Sequence, residues 1–373
     1  MVKCQVVMDA MEKLAPCKLA ESWDNPGLLV GSPAQEIHKI LVCLDVRDEI
    51  VDRAVKEGYD MIVSHHPLIF KSFKKLRTDL PDGEKFAKLI KHDIAVFSAH
   101  TNLDIATGGV NDVLAEKIGL KDLKPFDITG EEKFIKLAVY VPRDYADDVR
   151  DAIFRAGAGH IGNYSECSFN MEGKGTFLPL SGTHPFIGTE GKREAVEEIR
   201  IETIFPAPMK YKIVREMVKA HPYEEPAYDL YPLENRGAVH SLGRIGSVET
   251  PMSAEDFARQ VKNGLHADYV RLVKAGDRVI KKVALCSGSG AEFIERAAFM
   301  GCDAYVTGDV RYHDTQHAIE QGIHVIDAGH FPTEQPVVSV VAAYLNNALE
   351  AVRGGKDVLV TADDSLKDFF EVV

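Results

Sequence analysis

Two stretches of the chain carry the same succession of apolar and polar positions. Residues 37–66, IHKILVCLDVRDEIVDRAVKEGYDMIVSHH, lie without a gap over residues 280–309, IKKVALCSGSGAEFIERAAFMGCDAYVTGD, at a constant offset of 243, and nine of the 30 positions are identical. Each begins with a short unbroken apolar run, Ile40–Leu44 or Val283–Cys286, as expected of a strand buried on both faces. An amphipathic helix follows, stopped by Gly58 or Gly301, and then a second short strand ending at Ser64 or Thr307. A further pair, IAVFSAHTNLD (94–104) over IHVIDAGHFPT (323–333) at an offset of 229, reads in both copies as a strand leading into a polar turn.

Between the copies the periodicity changes. It predicts a strand over 135–141, a helix over 144–156 ended by Gly157, a strand over 164–171, a glycine-rich turn, a strand over 194–205, a helix over 209–220 and a strand over 227–233. That β-α-β-β-α-β order is the ferredoxin-like unit. The glycines at 157, 159, 162, 173, 175, 182 and 188 read as turn and hairpin residues, since no GxGxxG or GxxxxGK[ST] occurs among them. The expected fold class is α/β, with two related α/β halves forming one core, residues 1–129 and 236–373. A ferredoxin-like α+β insert, residues 130–235, interrupts them.

Composition changes this picture little. The chain has 373 residues, 45% of them hydrophobic and 27% charged, as in ordinary globular proteins. Its net charge of −13 opposes phosphate backbones, so nucleic acid is not an expected partner. Six scattered cysteines form no CxxC pair and read as reduced thiols. Asp9 and Glu12 interrupt the apolar stretch within residues 1–20, and no run approaches a membrane span, so a cytoplasmic location is expected.

In α/β sheets ligands gather beyond the carboxyl ends of the strands. Those ends here carry His65-His66-Pro67, His100 to Asp104, Thr307-Gly308-Asp309 and Gly329 to Glu334. Neighbouring side chains on a strand point to opposite faces, and Pro67 lets the chain leave the ladder so that both histidines can serve one site. His65, His66, Asp104, His330 and Glu334 are zinc, iron or manganese ligands by type, and five are too many for one open catalytic ion. They suit two divalent cations sharing a carboxylate, at roughly 3.5–4 Å as in other two-metal sites. Ser98, His100 and Asn102 are candidates for orienting those ligands. Lys71, Lys74, Lys75 and Arg77 could meet an anionic substrate, a solvated loop being the simpler reading. His313, Asp314 and His317 lie near Asp309, with capping and catalysis both open to them. The two prolines of His221-Pro-Tyr-Glu-Glu-Pro suggest an interface loop or the start of a strand.

SHHP (64–67), SAHTNLD (98–104), TGDVRYHD (307–314) and DAGHFPTE (327–334), with ESWDNPGLLVG (21–31) and SLGRIG (241–246), resemble the motifs of the Nif3-like family of dinuclear-metal proteins, the GTP cyclohydrolase 1 type 2 homologues. Pro26 and Ser241 replace the family's Val and Gly, and neither is a proposed ligand. GNYSECSF, GKGTFLPL and HPYEEPAYDLYPL resemble the PII/CutA-like domain inserted in some members. The resemblance implies that His66 and Asp104 hold one ion, His65 and His330 the other, and that Glu334 bridges. It also implies a toroidal homohexamer and a nucleotide substrate, with guanine C8 of GTP attacked by a water activated on the metal and formate released. His100 or His313 would then be the acid–base group. A two-metal phosphoesterase or amidohydrolase, and a metal-binding regulatory or adaptor protein, are the alternative functions.

Overall fold

The computed structural model describes residues 1–371. Contacts divide the chain into two compact units, Met1–Gly130 with the segment from His240 onward, and Glu131–Val239.

Beside the two-stranded antiparallel pair Val2–Lys3 and Glu36–Ile37, the first unit holds two larger sheets. In one, the order is Leu359–Ala362, Lys39–Cys43, Met61–Ser64, Ala95–Ser98, Gly27–Val30; the first four run parallel and Gly27–Val30 is antiparallel. In the other, the order is Arg271–Val273, His324–Asp327, Ala304–Gly308, Ile280–Ser289, Val239–Met252, Lys121–Glu131. Its three middle strands from His324 to Ser289 are parallel, with antiparallel neighbours in Arg271–Val273 and Val239–Met252. Four strands of each sheet thus share one order and one set of directions. The repeat includes an edge strand, Gly27–Val30 or Arg271–Val273, that the apolar pattern did not announce.

Local chemistry explains the helices between the strands. Asp48–Glu57 starts with Asp48 and Glu49, where carboxylates favour the dipole, and buries Ile50, Val51 and Ala54. It ends on Gly58 at φ +69°, a left-handed conformation glycine adopts without a Cβ clash. The two polar turns expected after the third strands are wound into single helical turns, Thr101–Ile105 and His330–Glu334. Side chains satisfy the first: Asp24 accepts from the Thr101 N–H at 3.0 Å, and Asn102 accepts from the His100 N–H at 2.8 Å.

The halves exchange material. Leu359–Ala362 belongs by sequence to the second half but pairs with Lys39–Cys43 of the first. Conversely, Lys121–Glu131 extends the sheet of the second half. The helix Pro336–Glu350 packs Val338, Val341, Ala342, Leu345 and Leu349 into the core built on Val7, Met11, Ile40, Val42 and Val63. Halves bounded by sequence position alone, 1–129 and 236–373, do not describe these sheets.

The second unit follows strand–helix–strand–strand–helix–strand: Phe134–Pro142, Ala146–Arg155, Ser168–Phe177, Glu194–Pro206, Lys210–Ala220 and Tyr228–Leu233. Its antiparallel sheet has the fourth strand beside the first, then the third, then the second. One expectation needs correcting. Gly173 and Gly175, read as turn residues, lie within the strand Ser168–Phe177, opposite Glu198 and Val196. The connection to the next strand comes later, after Phe177.

Candidate metal centre

His65 and His66 follow the strand Met61–Ser64, and their N–H groups still donate to the Cys43 and Leu44 carbonyls at 3.2 and 2.9 Å. Each imidazole is anchored at Nδ1. That of His65 lies 2.9 Å from the Ala99 carbonyl oxygen, that of His66 2.8 Å from Asp45 Oδ1, and that of His330 2.8 Å from Asp309 Oδ2. Holding Nδ1 leaves Nε2 as the atom that faces the site.

Those Nε2 atoms converge on one carboxylate. Glu334 Oε2 is 3.0 Å from His66 Nε2, 3.2 Å from His330 Nε2 and 3.8 Å from His65 Nε2. Asp104 Oδ1 is 3.7 Å from His65 Nε2 and accepts from the Ser287 hydroxyl at 3.2 Å. His65 Nε2 and Glu334 Oε2 are buried and make no hydrogen bond, an arrangement that is costly unless something else occupies the space between. Gly288, at φ +62°, leaves room for this carboxylate, since a Cβ there would stand 2.3 Å from Glu334 Oε1 and 3.3 Å from His330 Nε2.

The site attracts positive charge. Burial alone would lower the histidine pKa values, but the Asp45 hydrogen bond and the nearby Glu334 charge outweigh it at His66 and hold that group at about 10. At His330, Glu334 and Asp309 likewise overcome burial and hold it at about 9. Burial works against the Glu334 carboxylate as well, yet the surrounding imidazoles keep it well below the usual range. Asp104 is pushed up by burial.

Three overlapping groups have ligand atoms close enough to hold a metal ion: His65, Asp104 and Glu334; His66, His330 and Glu334; and His65, His66 and His100. Glu334 belongs to two of them, as a bridge would. The groups differ from the pairing implied by the resemblance: His65 lies with Asp104, and His66 with His330. The adjacent rings have separate anchors, the Ala99 carbonyl for His65 and Asp45 for His66.

His100 belongs to the cluster through a relation the ungapped repeat concealed. His100 and Asp104 are four residues apart across a single helical turn, as are His330 and Glu334, and Gly329, at φ +82°, is the one inserted residue that brings the pairs into line. Its Nδ1 lies 2.8 Å from Asp24 Oδ1. Burial would raise Asp24, but bonds from His100 and Thr101 hold it at about 2. The His100 ring packs edge-on to Trp23 and Phe70, both exposed, at centroid separations of 6.0 and 6.3 Å.

Other candidates stand elsewhere. His313 is exposed, its ring edge-on to Tyr312, and belongs to none of the metal-spaced groups. His317 Nε2 lies 3.9 Å from Glu295, and Asp314 caps its own helix through the Arg311 N–H at 2.8 Å. Ser98 bonds the Ser64 hydroxyl at 2.8 Å, and Asn102 donates to the Ala15 carbonyl at 2.7 Å, so both hold the backbone beneath the site. Lys71, Lys74, Lys75 and Arg77 are exposed.

Fold and site together define a duplicated α/β protein whose two halves meet at a histidine–carboxylate cluster able to hold metal. This chain belongs to the Duf34/NIF3 (NGG1p interacting factor 3) family, whose profile matches residues 2–369. It is 46% identical over 326 residues to a GTP cyclohydrolase 1 type 2 homolog of Halalkalibacterium halodurans, covering 87% of this chain and 88% of that protein. A Bacillus subtilis protein of the same name is 42% identical over 364 residues, 98% and 97% of the two chains. The crystal structure of a Bacillus cereus protein related to NIF3 superposes with a TM-score of 0.89 at 41% identity, covering 100% of this chain and 99% of that one. No helix among the described residues is long and apolar enough to cross a membrane.

Proposed function

We propose that this protein is a metal-dependent hydrolase working with two divalent cations, zinc, iron or manganese, on the ring of a purine nucleotide. The reaction would be of the GTP cyclohydrolase type, with water attacking C8 of guanine in GTP and the carbon leaving as formate; the relatives' name, GTP cyclohydrolase 1 type 2 homolog, supports that class. The observation that carries this reading is the convergence of three anchored imidazoles and Asp104 on Glu334, with the buried ligand atoms His65 Nε2 and Glu334 Oε2 left without a hydrogen bond.

Such cations, when bound, supply Lewis acidity and lower the pKa of a water toward neutrality. The chain's own residues do the rest. Asp24 holds the His100 ring beside the cluster, where His100 takes up and returns the proton of the attacking water. Trp23 and Phe70 offer exposed aromatic faces next to His100, a surface suited to a planar heterocycle. Lys71, Lys74 and Lys75 follow Phe70 and bring positive charge for the phosphates to a chain of net charge −13.

Protein loaded separately with each metal and incubated with GTP is expected to release formate and dihydroneopterin triphosphate in at least one case. Absence of both products in all cases overturns the GTP reaction, and a phosphodiester and amide panel then separates another hydrolase from a metal-binding regulator. His100→Ala is expected to keep the metal and to slow turnover by roughly 10²–10⁴-fold. The same reading includes a ring of six copies, and light scattering gives the copy number. It also includes a ferredoxin-like insert of the PII/CutA kind, supported by the element and strand order of the second unit.

A further inference from the structure

A cavity of about 530 Å³ lies wholly within the inserted unit, between the strand connections and the segment that follows the helix Lys210–Ala220. Its walls include four aromatic rings, Tyr140, Phe177, Phe186 and Tyr223. Phe177 and Phe186 stand at 5.7 and 6.4 Å from the Tyr223 ring, forming three sides of an apolar box.

One buried carboxylate opens into this box. Glu198, 9% exposed, lies among the lining residues, and its bond from the Tyr223 hydroxyl, at a long 3.3 Å, is the one hydrogen bond found for its side chain among the described residues. Gly175 makes the space for it, because a Cβ there would fall 2.0 Å from Glu198 Oε2. The presence of a glycine within this strand therefore has a steric reason. The cations nearby are committed to other carboxylates: Lys174 to Glu197 at 3.5 Å, and Lys136 and Arg200 to Glu202 at 3.0 and 2.7 Å. The lining contains no lysine, arginine or histidine, while Glu224 and Glu225 add further acidic groups. Burial raises the Glu198 pKa, as expected of a carboxylate without a counter-ion.

A carboxylate in an aromatic, cation-free cavity repels phosphates and carboxylates and is matched by a positive charge. We propose that the cavity is a receptor site for a small organic cation, an ammonium group on an apolar body, whose charge meets Glu198 and whose body lies against Phe177, Phe186 and Tyr223. The site lies within the inserted unit, is independent of the metal centre, and gives the insert a ligand-binding role. It also accounts for the HPYEEP run, which supplies Tyr223, Glu224 and Glu225 to the lining.

Calorimetry on the full chain with benzylamine, benzyl alcohol and benzoate separates charge from shape. Benzylamine is expected to bind at one site per chain, at least tenfold more tightly than the alcohol, with benzoate not binding. Glu198→Gln is expected to remove that preference, whereas Tyr223→Phe, which keeps the ring, is expected to retain it. Equal binding of amine and alcohol, amine binding unchanged in Glu198→Gln, or no amine binding to the folded protein overturns the proposal.

Discussion

At the scale of the residue, the centre is defined by what holds each ring from behind. Asp45 and Asp309 fix Nδ1 of His66 and His330, and outer partners of this kind are worth roughly 10–100-fold in metal affinity. Asp45→Asn and Asp309→Asn are each expected to weaken metal binding by about that factor while leaving the fold intact, as titration calorimetry would show. The inward-facing residues were legible because they end strands, and a repeat places strand ends. Asp45 was not, since its role depends on a ring 21 positions away, and nothing local marks it. The offset of 243 contains the answer in another form: Asp45 corresponds to Gly288 and His66 to Asp309. In one half the first position orients a ligand and the second is the ligand. In the other half the first is emptied for Glu334 and the second orients His330.

At the scale of the element, glycines that share a positive φ have different consequences. Gly58 and Gly288 both sit at positive φ, but nothing lies within 4 Å of a Cβ at Gly58, whereas Glu334 occupies that place at Gly288. Gly58→Ala is expected to cost about 1–2 kcal/mol of stability in denaturant unfolding and to leave metal content unchanged. Gly288→Ala is expected to expel Glu334 from its position and abolish metal retention. In the inserted unit, His221 is neutral by construction: its Nε2 donates to the Tyr140 carbonyl at 2.9 Å, and its Nδ1 accepts from the Tyr223 N–H at 3.0 Å. Burial lowers its pKa, so below about 6.5 the unfolded chain binds a proton that the folded one refuses. Stability of this unit should therefore fall as pH drops below that value, until the lowered folded pKa is passed. Hydrogen exchange in Lys210–Ala220 at pH 7.5 and 5.5, compared at equal intrinsic rates, would show faster opening at the lower pH, and His221→Gln would flatten the difference. The strand expected over 164–171 is found at Ser168–Phe177, and the displacement has a physical reason. This strand forms the sheet's edge and is mostly exposed, so no apolar alternation marks it.

At the scale of the whole molecule, the site depends on contacts between halves. Arg244, buried in the second half, donates to the Ile105 and Ala106 carbonyls at 3.3 and 3.2 Å and pairs with Asp112, tying down the turn that carries Asp104. Arg244→Met leaves the partly buried Asp112 without its cation and is expected to cost about 3 kcal/mol, read as a lower unfolding midpoint together with weaker metal binding. The two related halves were legible from a gapless alignment, but their exchange of strands was not, because pairing of Leu359–Ala362 with Lys39–Cys43 spans more than 300 residues. That pairing bears on synthesis. As the chain emerges from the ribosome, the inserted unit is complete once residue 239 has appeared. The strand Lys39–Cys43 keeps an unpaired edge until residue 362 follows it. The first half must therefore wait through most of translation with that edge open to strangers, and trigger factors or chaperones that shield nascent chains have a defined segment to protect.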